Sequence, residues 1–176
     1  NGNTPLHFAV SIKNNQLVNL LIRNQADLNV KNKKGEAPLN LAIGFDGNYY
    51  RLYNPQIAKL LINNGANVNV KNSVGNYSLL HLAVENNDKD FVNYLLDKGA
   101  DINAKDSDNS TPLYSKMFVT SDEEKISLLL IKRGADICIR GFNKESSLEL
   151  SKRHRMFHPE VFDYIKQKGL DKKCNS

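Results

Sequence analysis

Asn3-Thr4-Pro5-Leu6-His7-Phe8-Ala9-Val10 is the first statement of a pattern to which the chain keeps returning. Ala37-Pro38-Leu39-Asn40, Leu79-Leu80-His81 and Thr111-Pro112-Leu113-Tyr114 restate it. Between these stretches a Gly-Ala-Asp-like triplet recurs as Gln25-Ala26-Asp27, Gly65-Ala66-Asn67, Gly99-Ala100-Asp101 and Gly134-Ala135-Asp136, with a degenerate echo at Gly169-Leu170-Asp171. A period of about 34 residues means a stack of small units, none of which can bury its apolar face alone.

One unit shows how the pattern dictates structure. Thr4 offers an N-cap hydroxyl, and Pro5 takes the first helical position, where a missing N–H costs nothing. Leu6, Ala9 and Val10 give the short buried face of a first helix. Asn14-Asn15 breaks it, and Leu17, Val18, Leu20, Leu21 and Ile22 carry a second helix. Burial is expected for the leucine pairs Leu20–Leu21, Leu60–Leu61, Leu95–Leu96 and Leu129–Leu130. Gly65, Gly99 and Gly134 close the second helices in the left-handed conformation, whereas the first unit has Gln25 there. Asn29, Asn69 and Asn103 recur beyond it and are expected to bond local backbone. A polar hairpin, Lys31-Asn32-Lys33-Lys34-Gly35, then leads into the next unit.

The units run over about 1–34, 35–74, 75–108, 109–143 and 144–173. Unit two carries seven extra residues between its helices, within Gly44–Asn54, and unit three one extra near Tyr77. Unit four places Tyr114 and Lys116 where histidine and alanine are expected. Unit five keeps Leu148, Val161, Phe162, Tyr164 and Ile165 but loses the signature. With Lys166, Lys168, Lys172 and Lys173 it reads as a C-terminal cap.

These motifs closely resemble the ankyrin repeat, over nearly the whole chain. The resemblance implies an all-α solenoid of helix-turn-helix units joined by β-hairpin-like fingers, a single array over 1–176. It implies a non-enzymatic module that binds another protein on a concave face lined by fingers and first helices, without cofactor. It also implies that His7 and His81 tie one unit to the next through backbone groups. Within the family this chain is read as cytoplasmic, in the host cytosol if it serves as a pathogen or viral effector. The alternative is a substrate-recruiting segment of a larger enzyme or ubiquitin-ligase adaptor. The chain begins at Asn1-Gly2 in mid-repeat and is expected to be a piece of a longer protein.

Composition narrows the other classes. Net charge is +5, but by segment it runs +4 over 1–35, +1 over 36–75, −4 over 76–110, +1 over 111–145 and +3 over 146–176. An acidic middle breaks the basic stripe that a nucleic-acid binder shows, so selection among protein partners is the better reading. No apolar run approaches the ~18 residues of a membrane span. Two cysteines are too few for a disulfide framework. Cys138 is expected as a buried, inert thiol in a reducing setting. His154 and His158 lie four apart, but Pro159 follows and no glutamate stands between them, so no metal site is expected. Asp122-Glu123-Glu124 complements a helix dipole, and no catalytic residues are assigned.

Partner contacts are expected at the inserted loop and the finger tips. The loop supplies Phe45, Tyr49, Tyr50 and Tyr53, large rings with few rotors to freeze. The fingers supply Lys31, Lys33, Lys34, Val74, Asp108, Arg140 and Phe142, and a first helix adds Phe118. A monomer is expected.

Overall fold

A computed structural model describes residues 1–42, 53–117, 124–153 and 159–175. Among these, ten α-helices form five pairs. They are α1 (Pro5–Ser11) with α2 (Asn15–Arg23), α3 (Pro38–Ala42) with α4 (Pro55–Asn63), and α5 (Leu79–Glu85) with α6 (Lys89–Asp97). Then come α7 (Pro112–Lys116) with α8 (Glu124–Lys132), α9 (Ser147–Arg153) with α10 (Pro159–Gln167), and a 3-10 helix at Leu170–Asn175. The described residues form no sheet. Antiparallel bridges Lys71–Ser78 and Arg140–Ser146 close two of the fingers. The fold is an all-α repeat of helix-turn-helix units.

The chain divides into two compact bodies, Asn1–Leu79 with Asp97–Ala100, and Leu80–Leu96 with Asp101–Ser176. In the first, α1 packs on α2 and α3, and α2 on α4. In the second, α8 packs on α7 and α10, and α10 on α9 and the 3-10 helix.

Local chemistry fixes the helix ends. Thr4 Oγ1 accepts from His7 N–H, while the Thr4 N–H donates to His7 Nδ1 at 3.1 Å, a reciprocal cap. Asn14, Asn54 and Asp88 cap the second helices, accepting from the N–H groups of Leu17, Ile57 and Phe91 at 3.0, 3.1 and 2.9 Å. Gln25 takes φ 60°, the left-handed conformation that Gly65, Gly99 and Gly134 adopt at the same place.

The core lies along one stripe of each second helix. Ile57 and Leu61, Phe91 and Leu95, Ile126 and Leu130, Val161 and Ile165 are all 0% exposed. This corrects the expected leucine pairs. Leu61, Leu95 and Leu130 are buried, whereas Leu60, Leu96 and Leu129 are half-buried, Leu21 is half-buried and Leu20 is 56% exposed. Adjacent residues sit ~100° apart around a helix, so a buried face that runs through Ile57-Ala58 and Leu61-Ile62 leaves Leu60 on its flank.

The recurring asparagines also act differently from expectation. Asn29 Nδ2 donates to the Gly65 carbonyl at 3.3 Å, and its Oδ1 accepts from Asn67 N–H at 2.9 Å. Asn69 Nδ2 reaches the Gly99 carbonyl at 3.2 Å, and Asn103 Oδ1 the Asp136 N–H at 2.8 Å. Each is a rung to the following unit. The local turn is held instead by the residue two before: Asp27, Asn67, Asp101 and Asp136 each accept from the N–H two residues on. At the fourth rung position the residue is Cys138. It is neither a buried nor a free thiol: it is half-buried and disulfide-bonded to Cys174, 36 residues on, with the Cα atoms 5.2 Å apart.

Candidate interaction surface

The first three fingers are each built round one side chain. Asn32 Oδ1 accepts from the N–H groups of Lys34 and Glu36 at 2.9 and 3.0 Å. Asp106 Oδ1 does the same for Asp108 and Ser110 at 2.8 and 2.9 Å. In the second finger the extra residue shifts this bond outward, so Asn72 Oδ1 accepts from Tyr77 N–H at 2.8 Å. The widened loop leaves Asn72 Nδ2 buried without a partner among the described residues. Asn76 and Asn109 hold left-handed turn positions, φ 54° and 62°, a conformation that asparagine tolerates.

First helices anchor to the fingers. His7 Nε2 donates to the Glu36 carbonyl at 2.9 Å, and His81 Nε2 to the Ser110 carbonyl at 3.0 Å, each 29 residues on. A carbonyl partner requires the proton on Nε2, which leaves His7 Nδ1 to accept from Thr4. Tyr114 does the same task in unit four: its hydroxyl donates to Asn143 Oδ1, again 29 residues on. Tyrosine is longer than histidine, and the finger makes room with Gly141, where an added Cβ would overlap the Tyr114 ring.

Of the expected contact residues, Lys31, Lys33, Lys34 and Asp108 are exposed on their fingers. Val74 and Phe142 are 56% and 63% exposed, so neither tip is tucked away. Phe142 still stands edge-on to Tyr114, with ring centroids 5.8 Å apart. Arg140 is exposed but engaged, donating to the Lys144 carbonyl and to Glu149 Oε2. Tyr53 is half-buried. Phe45, Tyr49, Tyr50 and Phe118 lie outside the described residues. A feature absent from the expected set is Phe8, 59% exposed and one turn before exposed Ile12. The signal was present in the sequence: Leu6, Ala9 and Val10 already fill the buried face, so a large ring at position 8 must point elsewhere.

Lys116 is a buried charge in the second body. It stands where Ala9 and Ala83 stand in their units and is buried. Glu85 is held above the usual carboxylate range, chiefly by burial, with Lys116 pulling it down and Asp106 pushing it up. The Glu149 carboxyl is held below that range, first by the Ser146 N–H and hydroxyl, then by Arg140. Among the described residues no group of three His, Cys, Asp or Glu side chains could hold a metal. His154 and His158 lie outside them, and Cys174, the nearby soft ligand, is bonded to Cys138. No helix among the described residues is long and apolar enough to cross a membrane.

Comparison with curated proteins finds no match. The family described as ankyrin repeats (three copies) matches residues 1–72 and 48–141. Its matches cover the signature stretches and helix pairs of the first four units and the first three fingers. The chain belongs to the ankyrin-repeat family.

Proposed function

We propose that this chain is a non-enzymatic interaction module whose fingers and first helices hold a protein partner on the concave face that the family resemblance assigns. Ankyrin repeats are in general protein–protein interaction modules. The observation that carries the reading to particular residues is the exposure of large apolar side chains at Val74, Phe142 and Phe8. Large apolar side chains that a partner desolvates are the kind of anchor that contributes most of an interface's binding energy. The exposed Lys33-Lys34 tip would favour an acidic patch on a partner, and the exposed Asp108 a basic one.

The Phe45–Tyr53 insertion is proposed as one wall of that surface. An effector role belongs to this reading as its finer form, as does a cytoplasmic location. The Cys138–Cys174 bond weighs against a reducing compartment, where such thiols stay apart. Alkylation of free thiols at the moment of lysis decides between the two.

The test places a photo-crosslinking residue at position 74, identifies the captured protein, and measures its affinity directly. Val74→Asp, and Tyr49→Ala with Tyr50→Ala, should each weaken binding by ~2 kcal/mol or more with melting nearly unchanged. Unchanged affinity in both would remove the fingers and the insertion from the interface.

A further inference from the structure

We propose, resting on the reading that the fingers hold a protein partner, that the cavity between the first two fingers is a carboxylate subsite. Its occupant is an aspartate or glutamate side chain of that partner. The first observation is a difference among the fingers. In the first, Asn32 uses both ends of its amide. Oδ1 holds the turn, while Nδ2 donates to Glu36 Oε2 at 3.2 Å and to Asn3 Oδ1 at 2.9 Å. In the third the residue is Asp106, whose carboxylate has oxygens only and leaves no donor over. The second finger keeps the amide and loses the acceptors. Tyr77 stands where Glu36 stands, since Asn72 N–H donates to the Tyr77 carbonyl as Asn32 N–H does to that of Glu36. Asn72 Oδ1 accepts from Tyr77 N–H, which fixes the orientation of the amide, so the unpaired atom is a donor. That Nδ2 has no partner among the described residues, in a residue 7% exposed. A buried donor left unpaired is costly, and a ligand oxygen removes the cost.

The second observation is the room beside it. His7, His81 and Tyr114 each reach from a first helix to a finger. Unit two has the shorter Asn40 at that place, and its Oδ1 turns back to accept from Ala37 N–H at 2.8 Å. The bulk of the imidazole is missing. An open cavity of about 410 Å³ lies there within the first body, its lining including Lys31, Asn40, Asn69, Lys71, Asn72 and Ser73.

Charge decides the occupant. Lys31 and Lys71 are the charged residues of this lining, and both are exposed. The nearby carboxylate, Glu36, is committed to both fingers, accepting from Asn32 Nδ2 and from Ser73 Oγ at 2.7 Å. An anionic oxygen entering the cavity therefore meets a buried N–H and two ammonium groups. The first finger supplies the precedent, because there the same amide takes a carboxylate from within the chain. Exposed Lys33 and Lys34 on the adjoining tip would draw an acidic segment toward the opening.

The test follows the Asn72 side-chain amide by heteronuclear NMR while a short end-capped polyglutamate peptide is added at constant ionic strength. The Nδ2–H signals should shift saturably, and the matching polyglutamine peptide should bind about tenfold or more weakly. Asn72→Asp keeps the turn bond through a carboxylate oxygen, as Asp106 does, and replaces the donor with a repelling charge. It should weaken the glutamate peptide by about tenfold or more with melting nearly unchanged. The signals of the parent chain decide the case even where that variant unfolds. Signals that stay in place under polyglutamate overturn the proposal. So does an affinity lost on Lys33→Gln with Lys34→Gln but kept in Asn72→Asp, which would mean a diffuse basic patch. Inorganic phosphate that shifts the same signals at lower concentration than the peptide would overturn the choice of carboxylate. For the partner captured at position 74, Asn72→Asp should cost about the same factor as it does for the peptide. A partner weakened by Val74→Asp but not by Asn72→Asp would leave the finger reading standing, give the cavity to a free carboxylate, and sink this assignment alone. A partner indifferent to both variants would sink the two together.

Discussion

Tyr114 and Gly141 are a coupled exchange. Where unit one joins His7 to a finger built on Asn32, unit four joins a longer phenol to a finger whose equivalent residue has no side chain. Gly141→Ala should therefore cost about 1–3 kcal/mol through overlap with the ring. Adding Tyr114→His should restore most of it, because the smaller ring is the one the other fingers accommodate. Denaturant melts of the two single variants and the double close the cycle, and strictly additive losses would show that the two positions are independent. Glu85 makes a second prediction at this scale. Its carboxyl sits above the usual range, so the folded state favours the protonated form. That contribution is full below the ordinary carboxylate range and disappears as pH rises through the raised value. Glu85→Gln cannot ionise, so its melting temperature relative to the parent should climb as pH rises from the acid side of the carboxylate range toward neutrality. A difference that is flat with pH, or falls, would mean burial does not govern this group.

Among elements, the second helices separate two kinds of leucine that look alike in the sequence. Leu61→Ala removes a fully buried side chain and should cost ~2–5 kcal/mol. Leu60→Ala, half-buried on the adjacent face, should cost about 1 kcal/mol or less. Equal losses would put the register wrong by one residue. The same comparison shows what could be read in advance. Helix pairs, the first helix's cap and the left-handed closures follow from Thr4, Pro5 and the recurring glycines, since each acts within a few residues of itself. Which leucine faces the neighbouring unit does not follow from composition, because both Leu60 and Leu61 are apolar and only the helix phase tells them apart. Phe8 escaped for a related reason: it lies inside the signature, where the residues that recur carry the pattern and this one does not. The rungs from Asn29, Asn69 and Asn103 span at least 30 residues in sequence, so no local rule announces them.

For the molecule as a whole, the disulfide is the largest departure from what the sequence suggests. Two cysteines 36 residues apart carry no sign of pairing until the repeat register sets Cys138 on a rung position and the last unit brings Cys174 back to it. Closing a loop of this length restricts the unfolded chain, and Cys174→Ser should lower stability by about 3–4 kcal/mol in the chain-entropy picture. Urea melts of oxidised and reduced protein should differ by the same amount, while the Cys174→Ser variant should be indifferent to reductant. A parent chain equally stable with and without reductant would show the thiols apart in solution.

The bond also sets how much chain the protein can release under load. Stretched from its two ends, the first three rungs are hydrogen bonds and give way as their units open. The fourth is covalent, and the span of 36 residue steps that it closes cannot lengthen. Fully extended, they would add roughly 120 Å of contour length. Optical-tweezer traces of the oxidised protein should end shorter than those of the reduced protein by about that distance, with the missing length confined to the final opening events. The array would then be extensible from its amino-terminal side and inextensible at its carboxy-terminal anchor, a directional strain limit that one reductant-sensitive bond switches on or off.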